Sequence, residues 1–216
     1  MYIDIGTHNK AGELRWMAET ALPSLCDRFT AQGFEAAAPM FAKAKSATSD
    51  LSNVHIEHLA LTHHLPPGRV IRLHYAGNDG IGSSLYKDRG GAYEEVPATR
   101  LSEWLHENGW NLHKTICLLR MNIEGAEQDV FEDLREAGLL PLIDGFYGLW
   151  DDVAKIDGAT GKMFESELKK EKVKHLSFHD TRDLQYVSRR AALRYDFATN
   201  LESGRRRVRI QEVKRT

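Results

Sequence analysis

The sequence predicts an α/β fold: a mostly parallel sheet with helices on both faces and an antiparallel strand at the carboxyl end. Three observations carry that expectation. The run Thr115-Ile-Cys-Leu-Leu-Arg-Met-Asn-Ile123 is nearly continuous apolar sequence, as in a central strand covered on both faces. Segments with strand and helix patterning alternate on either side of it. Two short apolar runs end in an acid and a glycine, at Asp4-Ile-Gly6 and Asp144-Gly145, as strands do when they enter turns. Together these describe a Rossmann-like arrangement.

Taken in order, Met1 to Gly6 reads as a buried strand, and Glu13 to Leu25 as a helix through Leu14, Met17, Ala18, Ala21, Leu22 and Leu25. Phe29 to Glu35 reads as a second strand. Pro39 to Ala47 is a second helix, with proline in its first turn. Asn53 to Thr62 suits a third strand, His64-Leu-Pro-Pro-Gly68 a turn, and Arg69 to Ala76 a half-buried strand. Asn78 to Gly91, rich in Gly and Ser, reads as a long loop, and Leu101 to Asn108 as a short helix closed by Gly109. After the central strand a helix through Val130, Phe131 and Leu134 stops at Gly138, and Leu139 to Ile143 is expected as another strand. Glu165 to Lys174 is a charged helix or loop, Val173 to Phe178 a strand and Asp183 to Leu201 a helix. Val208, Ile210 and Val213 alternate as the expected antiparallel final strand would.

The 216 residues, 42% hydrophobic and 28% charged, fit a folded globular protein. No linker, repeat or low-complexity tract divides them, so one domain is expected. No stretch approaches the roughly 20 apolar residues of a membrane helix. No secretory signal is recognisable at the start. Cys26 and Cys117 form no CxxC pair, which argues against a disulfide framework and for a reducing, cytoplasmic setting. The charge is uneven: Arg189 to Thr216 carries nine Lys or Arg against three acids, although the whole chain is −2. Such an end suits a phosphate-bearing partner, nucleic acid or a nucleotide-sugar. It equally suits a solvated, charge-guarded face.

In open parallel sheets ligands bind beyond the carboxyl ends of the strands. Three such ends carry chemistry here. Asp4-Ile-Gly6-Thr-His-Asn-Lys-Ala-Gly12 is a glycine turn running into a helix, where backbone can approach a ligand closely. Glu35 ends the second strand, where an acid can accept hydrogen bonds from ribose hydroxyls. A surface glutamate is the plain alternative. Asn122-Ile-Glu124-Gly-Ala-Glu127 places two carboxylates and an amide at the end of a buried strand, a costly position unless they meet a ligand, a metal or a helix start.

The order of these pieces resembles the FkbM-type methyltransferases. The resemblance runs from Asp4-Ile-Gly6 through Phe34-Glu35-Ala36, His58-Leu-Ala60-Leu61 and Ser83-Ser84-Leu85 to Arg120-Met-Asn-Ile-Glu124-Gly-Ala-Glu127. It spans about residues 1 to 150, and its most specific piece is the Ile-Glu-Gly-Ala-Glu segment. It implies a class I enzyme using S-adenosylmethionine on hydroxyls of sugars, glycans or related small molecules. Residues 1–150 would then form the cofactor-binding core and residues 151–216 an extension completing the sheet and the substrate side. The resemblance sets Asp4, Gly6 and Thr7 against the amino-acid end of the cofactor, Glu35 on the ribose and Ala60 and Leu61 near the adenine. Asn122 to Glu124 would face methyl transfer. Two departures stand out: Lys10 holds an expected glycine position, and Asn122 replaces the usual acid.

A hydroxyl acceptor needs its proton removed. Glu124 and His179, in Ser177-Phe-His-Asp180, are the foremost candidates, ahead of His8 and Asp144. No spacing compels a metal at Glu124, Asp144 and Asp180, so none is expected. Tyr147 and Trp150 suit either a substrate cleft or the core. Two other functions fit the same residues: a nucleic-acid methyltransferase using the basic end, and a non-catalytic nucleotide- or partner-binding module. Self-association is left open.

Overall fold

A computed structural model of the chain describes residues 1–8, 10–75, 82–86, 92–150, 153, 161–178 and 186–213. Its centre is a six-stranded sheet in the order β3-β2-β1-β7-β8-β9, built from β1 (Tyr2–Ile5), β2 (Ala31–Glu35), β3 (Val54–His58), β7 (Leu118–Met121), β8 (Gly145–Gly148) and β9 (His175–Ser177). Every pairing in it is parallel. The chain moves outward one way from β1 and the other way from β7, so strand order reverses between these two neighbours.

Alternation along the central strands explains both faces. Ile3, Ile5, Leu119, Met121 and Phe146 share one apolar cluster with α3 (Leu101–Glu107), α4 (Glu127–Glu136) and α5 (Gly161–Lys170). Tyr2, Leu118 and Tyr147 point the other way. They meet α1 (Gly12–Trp16), its π-helical continuation Met17–Ala21, and α6 (Tyr186–Val213). A strand buried on both sides has no polar face to show, hence the unbroken apolar run of β7. The exceptions are register partners: Asp4 and Arg120 lie side by side on the α1 face and form an ion pair of 2.6 Å.

Helix α2 (Ala38–Ala47) follows β2. A second, three-stranded sheet orders β4 (Ala60–Leu61), β6 (Tyr93–Thr99) and β5 (Val70–His74), with β5 antiparallel to β6. It packs Leu73, Val96 and Ala98 on Ala37 and Met40. The expected strand over Asn53 to Thr62 thus divides between two sheets. The sequence pattern did not reveal β6, because Pro97 sits inside it.

Two expectations need correction. Leu139 to Ile143 is not a strand: Leu140–Leu142 forms a 3-10 turn around Pro141, and the strand begins at Gly145. Proline cannot donate within a sheet ladder, so the apolar run turns before pairing starts. The antiparallel carboxyl-terminal strand is also absent, since Val208, Ile210 and Val213 belong to α6. Leu193, Phe197 and Leu201 recur every fourth residue on its buried face, and Gly204 and Val208 continue that row. The period of two at Val208 and Ile210 is incidental: Ile210 is 57% exposed. Most of the loop expected over Asn78 to Gly91 lies outside the described residues.

Candidate functional site

A cavity of about 430 Å³ opens at the carboxyl ends of the parallel strands, at the point where strand order reverses. Gly6 and His8 follow β1, Glu35 ends β2, Asn122, Ile123 and Glu124 follow β7, and Leu149 and Phe178 follow β8 and β9. Gly82, Ser83 and Leu85 close the remaining side beside Ala60 and Leu61.

The turn after β1 is forced into shape. Gly6 has φ +82, and a Cβ there would collide with the Asn122 carbonyl oxygen. Only glycine fills that position without moving β7. His8 and Ala11 also take left-handed backbone, at φ 64 and 47, where non-glycine residues are strained. The strain is held by hydrogen bonds. The Gly6 and Thr7 amides donate to the Phe34 carbonyl, and the His8 amide donates to Glu35 Oε2 at 2.8 Å. Glu35 Oε1 accepts from the Ala37 amide at 3.0 Å. One carboxylate therefore ties the turn after β1 to the turn after β2 and still lines the cavity.

The segment after β7 is locked as firmly. Glu124 has φ 56 and Gly125 φ 111. Glu127, 1% exposed at the start of α4, accepts from the Ile123 amide at 2.7 Å and the Gly125 amide at 2.8 Å. Burial pushes its carboxyl up from 4.5 to about 7, against the pull of those donors. Ser84 Oγ donates to the Glu124 carbonyl at 2.9 Å, fastening the 82–86 segment to the same turn.

Beneath lies the Asp4–Arg120 pair. Arg120 Nη1 donates to Asp4 Oδ1 and to the Gly6 carbonyl at 2.8 Å, and Nη2 stands 3.7 Å from Glu13. Asp4 Oδ2 and Arg120 Nε are buried and find no hydrogen-bond partner among the described residues. Burial raises the Asp4 carboxyl above its ordinary range while Arg120 holds it down.

Of the residues singled out by sequence, Gly6, His8, Glu35, Ala60, Leu61, Asn122 and Glu124 meet around this one cavity. Asp4 and Thr7 lie below its lining; Thr7 Oγ1 donates to the Asp4 and Phe34 carbonyls. His179, with Asp180, lies outside the described residues, although Phe178 before it lines the cavity. Asp144 sits before β8 at the opposite edge of the sheet, bound by Arg207 and the Cys117 amide. Tyr147 and Trp150 are core residues: Tyr147 takes a hydrogen bond from Asn200, and Trp150 packs on Phe146 and Phe164. Among the described residues no three His, Cys, Asp or Glu side chains gather as a metal site.

Sequence reading passed over Glu13 and Arg120, both on the cavity lining. An arginine inside an otherwise apolar central strand was the signal for Arg120. With them the cavity has two characters. Met40, Leu59, Leu61, Leu73 and Leu85 make an apolar slot near Glu35. Towards β1 and β7 the lining holds Glu13, Glu35 and Glu124 together with Arg120, whose guanidinium is paired with Asp4 and stands 3.7 Å from Glu13. No family model, curated protein or solved structure matches the chain.

Proposed function

We propose that the cavity binds S-adenosylmethionine and that the protein methylates a hydroxyl of a sugar, glycan or related small molecule. The observation that carries this is the acid-lined crevice at the strand reversal. Rossmann-like sheets commonly hold nucleotides through phosphate at a glycine turn. Here the amides of Gly6, Thr7 and His8 are already spent on Phe34 and Glu35, and three carboxylates line the walls. A phosphate would meet repulsion and find few donors. A nucleoside that carries positive charge instead of phosphate fits that field.

When bound, the cofactor supplies a methyl group on a sulfonium, already activated for transfer. Glu35 keeps lone pairs on both oxygens for ribose hydroxyls after taking its two backbone donors. The apolar slot accepts an adenine ring. Asn122 offers both a donor and an acceptor to orient the hydroxyl acceptor, and Glu124, on the same lining, would take its proton. Holding acceptor and donor in line is worth about 7–11 kcal/mol in favourable cases.

Calorimetry should find saturable binding of S-adenosylmethionine and its demethylated product, and none of ATP or NAD. Glu35→Ala should weaken it at least about tenfold, the size of a lost hydrogen bond to a charged group. Absence of binding to the first two ligands, or tighter binding of ATP, would overturn the reading.

A second reading is a nucleoside-binding module without catalysis. Asn122 supports it, since an amide stands where the resemblance implies an acid. Cofactor binding with no methyl transfer to any hydroxyl acceptor would favour it. Against a nucleic-acid substrate stands the position of the arginine cluster at 205–209: Arg207 bonds Asp144 and the Leu112 and Thr115 carbonyls, at the edge away from the cavity.

A further inference from the structure

A second hollow, of about 440 Å³, lies at the amino-terminal edge of the sheet, between α6 and the segments that lead into β2 and β7. Its floor is apolar, from Leu22, Phe29, Ile116, Leu201 and Val208. Arg28, Lys114, Arg205 and Arg209 line it, and among the described residues no carboxylate does. Arg205 donates to the Leu25 carbonyl and reaches Glu202 at 3.5 Å, an acid it shares with Arg206. Arg28, Lys114 and Arg209 form no ion pair among the described residues.

Four cations around one hollow repel each other, in a chain whose net charge is −2. An anion relieves that repulsion. An inorganic anion would leave the apolar floor wet, whereas an alkyl chain would cover it. Nucleic acid is recognised by basic tracks set with aromatic platforms; this hollow is concave and mainly aliphatic, with Phe29 its one ring among the described residues. We propose that it binds a small amphiphilic anion, a carboxylate on a medium-length alkyl chain, with the headgroup among Arg28, Lys114 and Arg209. The site is separate from the acid-lined cavity and takes ligands of the opposite charge.

Cys26 lines the same hollow and supplies a reporter. Cys117 is fully buried, so alkylation under native conditions reads Cys26. Decanoate below its micellar concentration, inorganic phosphate and a single-stranded RNA oligonucleotide are each titrated into the full chain by calorimetry. Decanoate should bind saturably and slow Cys26 alkylation several-fold. The double variant Arg28→Glu with Arg209→Glu should bind it at least about tenfold more weakly and lose the protection of Cys26. Both side chains are exposed, so the variant should keep its Tm or gain, because the reversal relieves repulsion. The proposal is overturned by any of four results: no saturable decanoate binding, equal binding by the double variant, a lowered Tm in that variant, or phosphate or RNA binding as tightly as decanoate.

Discussion

The two edges of the sheet each carry an arginine paired with a buried aspartate, and the pairs differ in completeness. At the amino-terminal edge Arg207 grips Asp144 through both carboxylate oxygens, at 2.9 and 2.7 Å, and donates to the carbonyls of Leu112 and Thr115. Asp144 also accepts from the Cys117 amide at 3.0 Å. At the carboxyl edge Arg120 reaches Asp4 through one nitrogen, and among the described residues Asp4 Oδ2 and Arg120 Nε find no partner. Buried polar atoms are ordinarily satisfied, so the second arrangement costs free energy that the first does not. The difference separates a clamp that holds the fold from an edge that keeps charge in reserve beneath a cavity.

The largest test of that separation is Arg207→Ala. It strands a buried carboxylate and two backbone carbonyls, and removing one partner of a buried pair costs about 3–5 kcal/mol. For a domain of this size that lowers Tm by roughly 10 °C, which calorimetry would register. Affinity for S-adenosylmethionine per folded molecule should not change. A variant with unchanged Tm, or one that folds well but loses the ligand, would break the division between the edges.

The next effect belongs to pH. Glu127 takes its proton in the fold at about 7, against an ordinary 4.5. The folded state therefore holds the proton more tightly between these values. Its contribution is complete below 4.5 and disappears as pH rises through 7. Stability should fall from pH 5 to pH 8, by about 2 kcal/mol for this group, since one pKa unit is worth about 1.4 kcal/mol. Glu127→Gln does not titrate and should flatten that slope, while losing one acceptor for the Ile123 and Gly125 amides. Urea midpoints at the two pH values compare the slopes. Equal slopes would show that another group sets the pH response.

The parallel core was legible because strands buried on both faces must read as apolar runs: β1, β2 and β7 declared themselves. The cavity lining was partly legible for a related reason. Gly6, Glu35, Asn122 and Glu124 stand directly after those runs, and a parallel sheet delivers every such position to one edge. Three things escaped. The row Leu193, Phe197, Leu201 extends beyond Leu201 through a glycine and an arginine cluster, which hid the end of α6. Pro97 disguised β6. Asp4 looked like a ligand contact because pairing register, which places it beside Arg120, cannot be read from either residue alone.

The smallest effect sharpens the comparison from the cavity side. Ser84 Oγ holds the Glu124 carbonyl, and Glu124 keeps its left-handed backbone against an intrinsic cost of about 1–3 kcal/mol. Ser84→Ala removes this bond, by itself a loss of about 1 kcal/mol in stability, and the acceptor that the Tyr86 amide uses at 3.2 Å. At the amino-terminal edge such a deletion would stop there. Here the released turn can relax towards ordinary backbone and carry Glu124 and Ile123 off the cavity wall. The ligand would then have to restore the turn before binding, and its affinity should fall by more than the roughly fivefold that 1 kcal/mol represents. Denaturant melts and ligand titrations on the same sample set the two losses side by side. A larger loss of stability than of affinity would place Ser84 with the clamps that hold the fold.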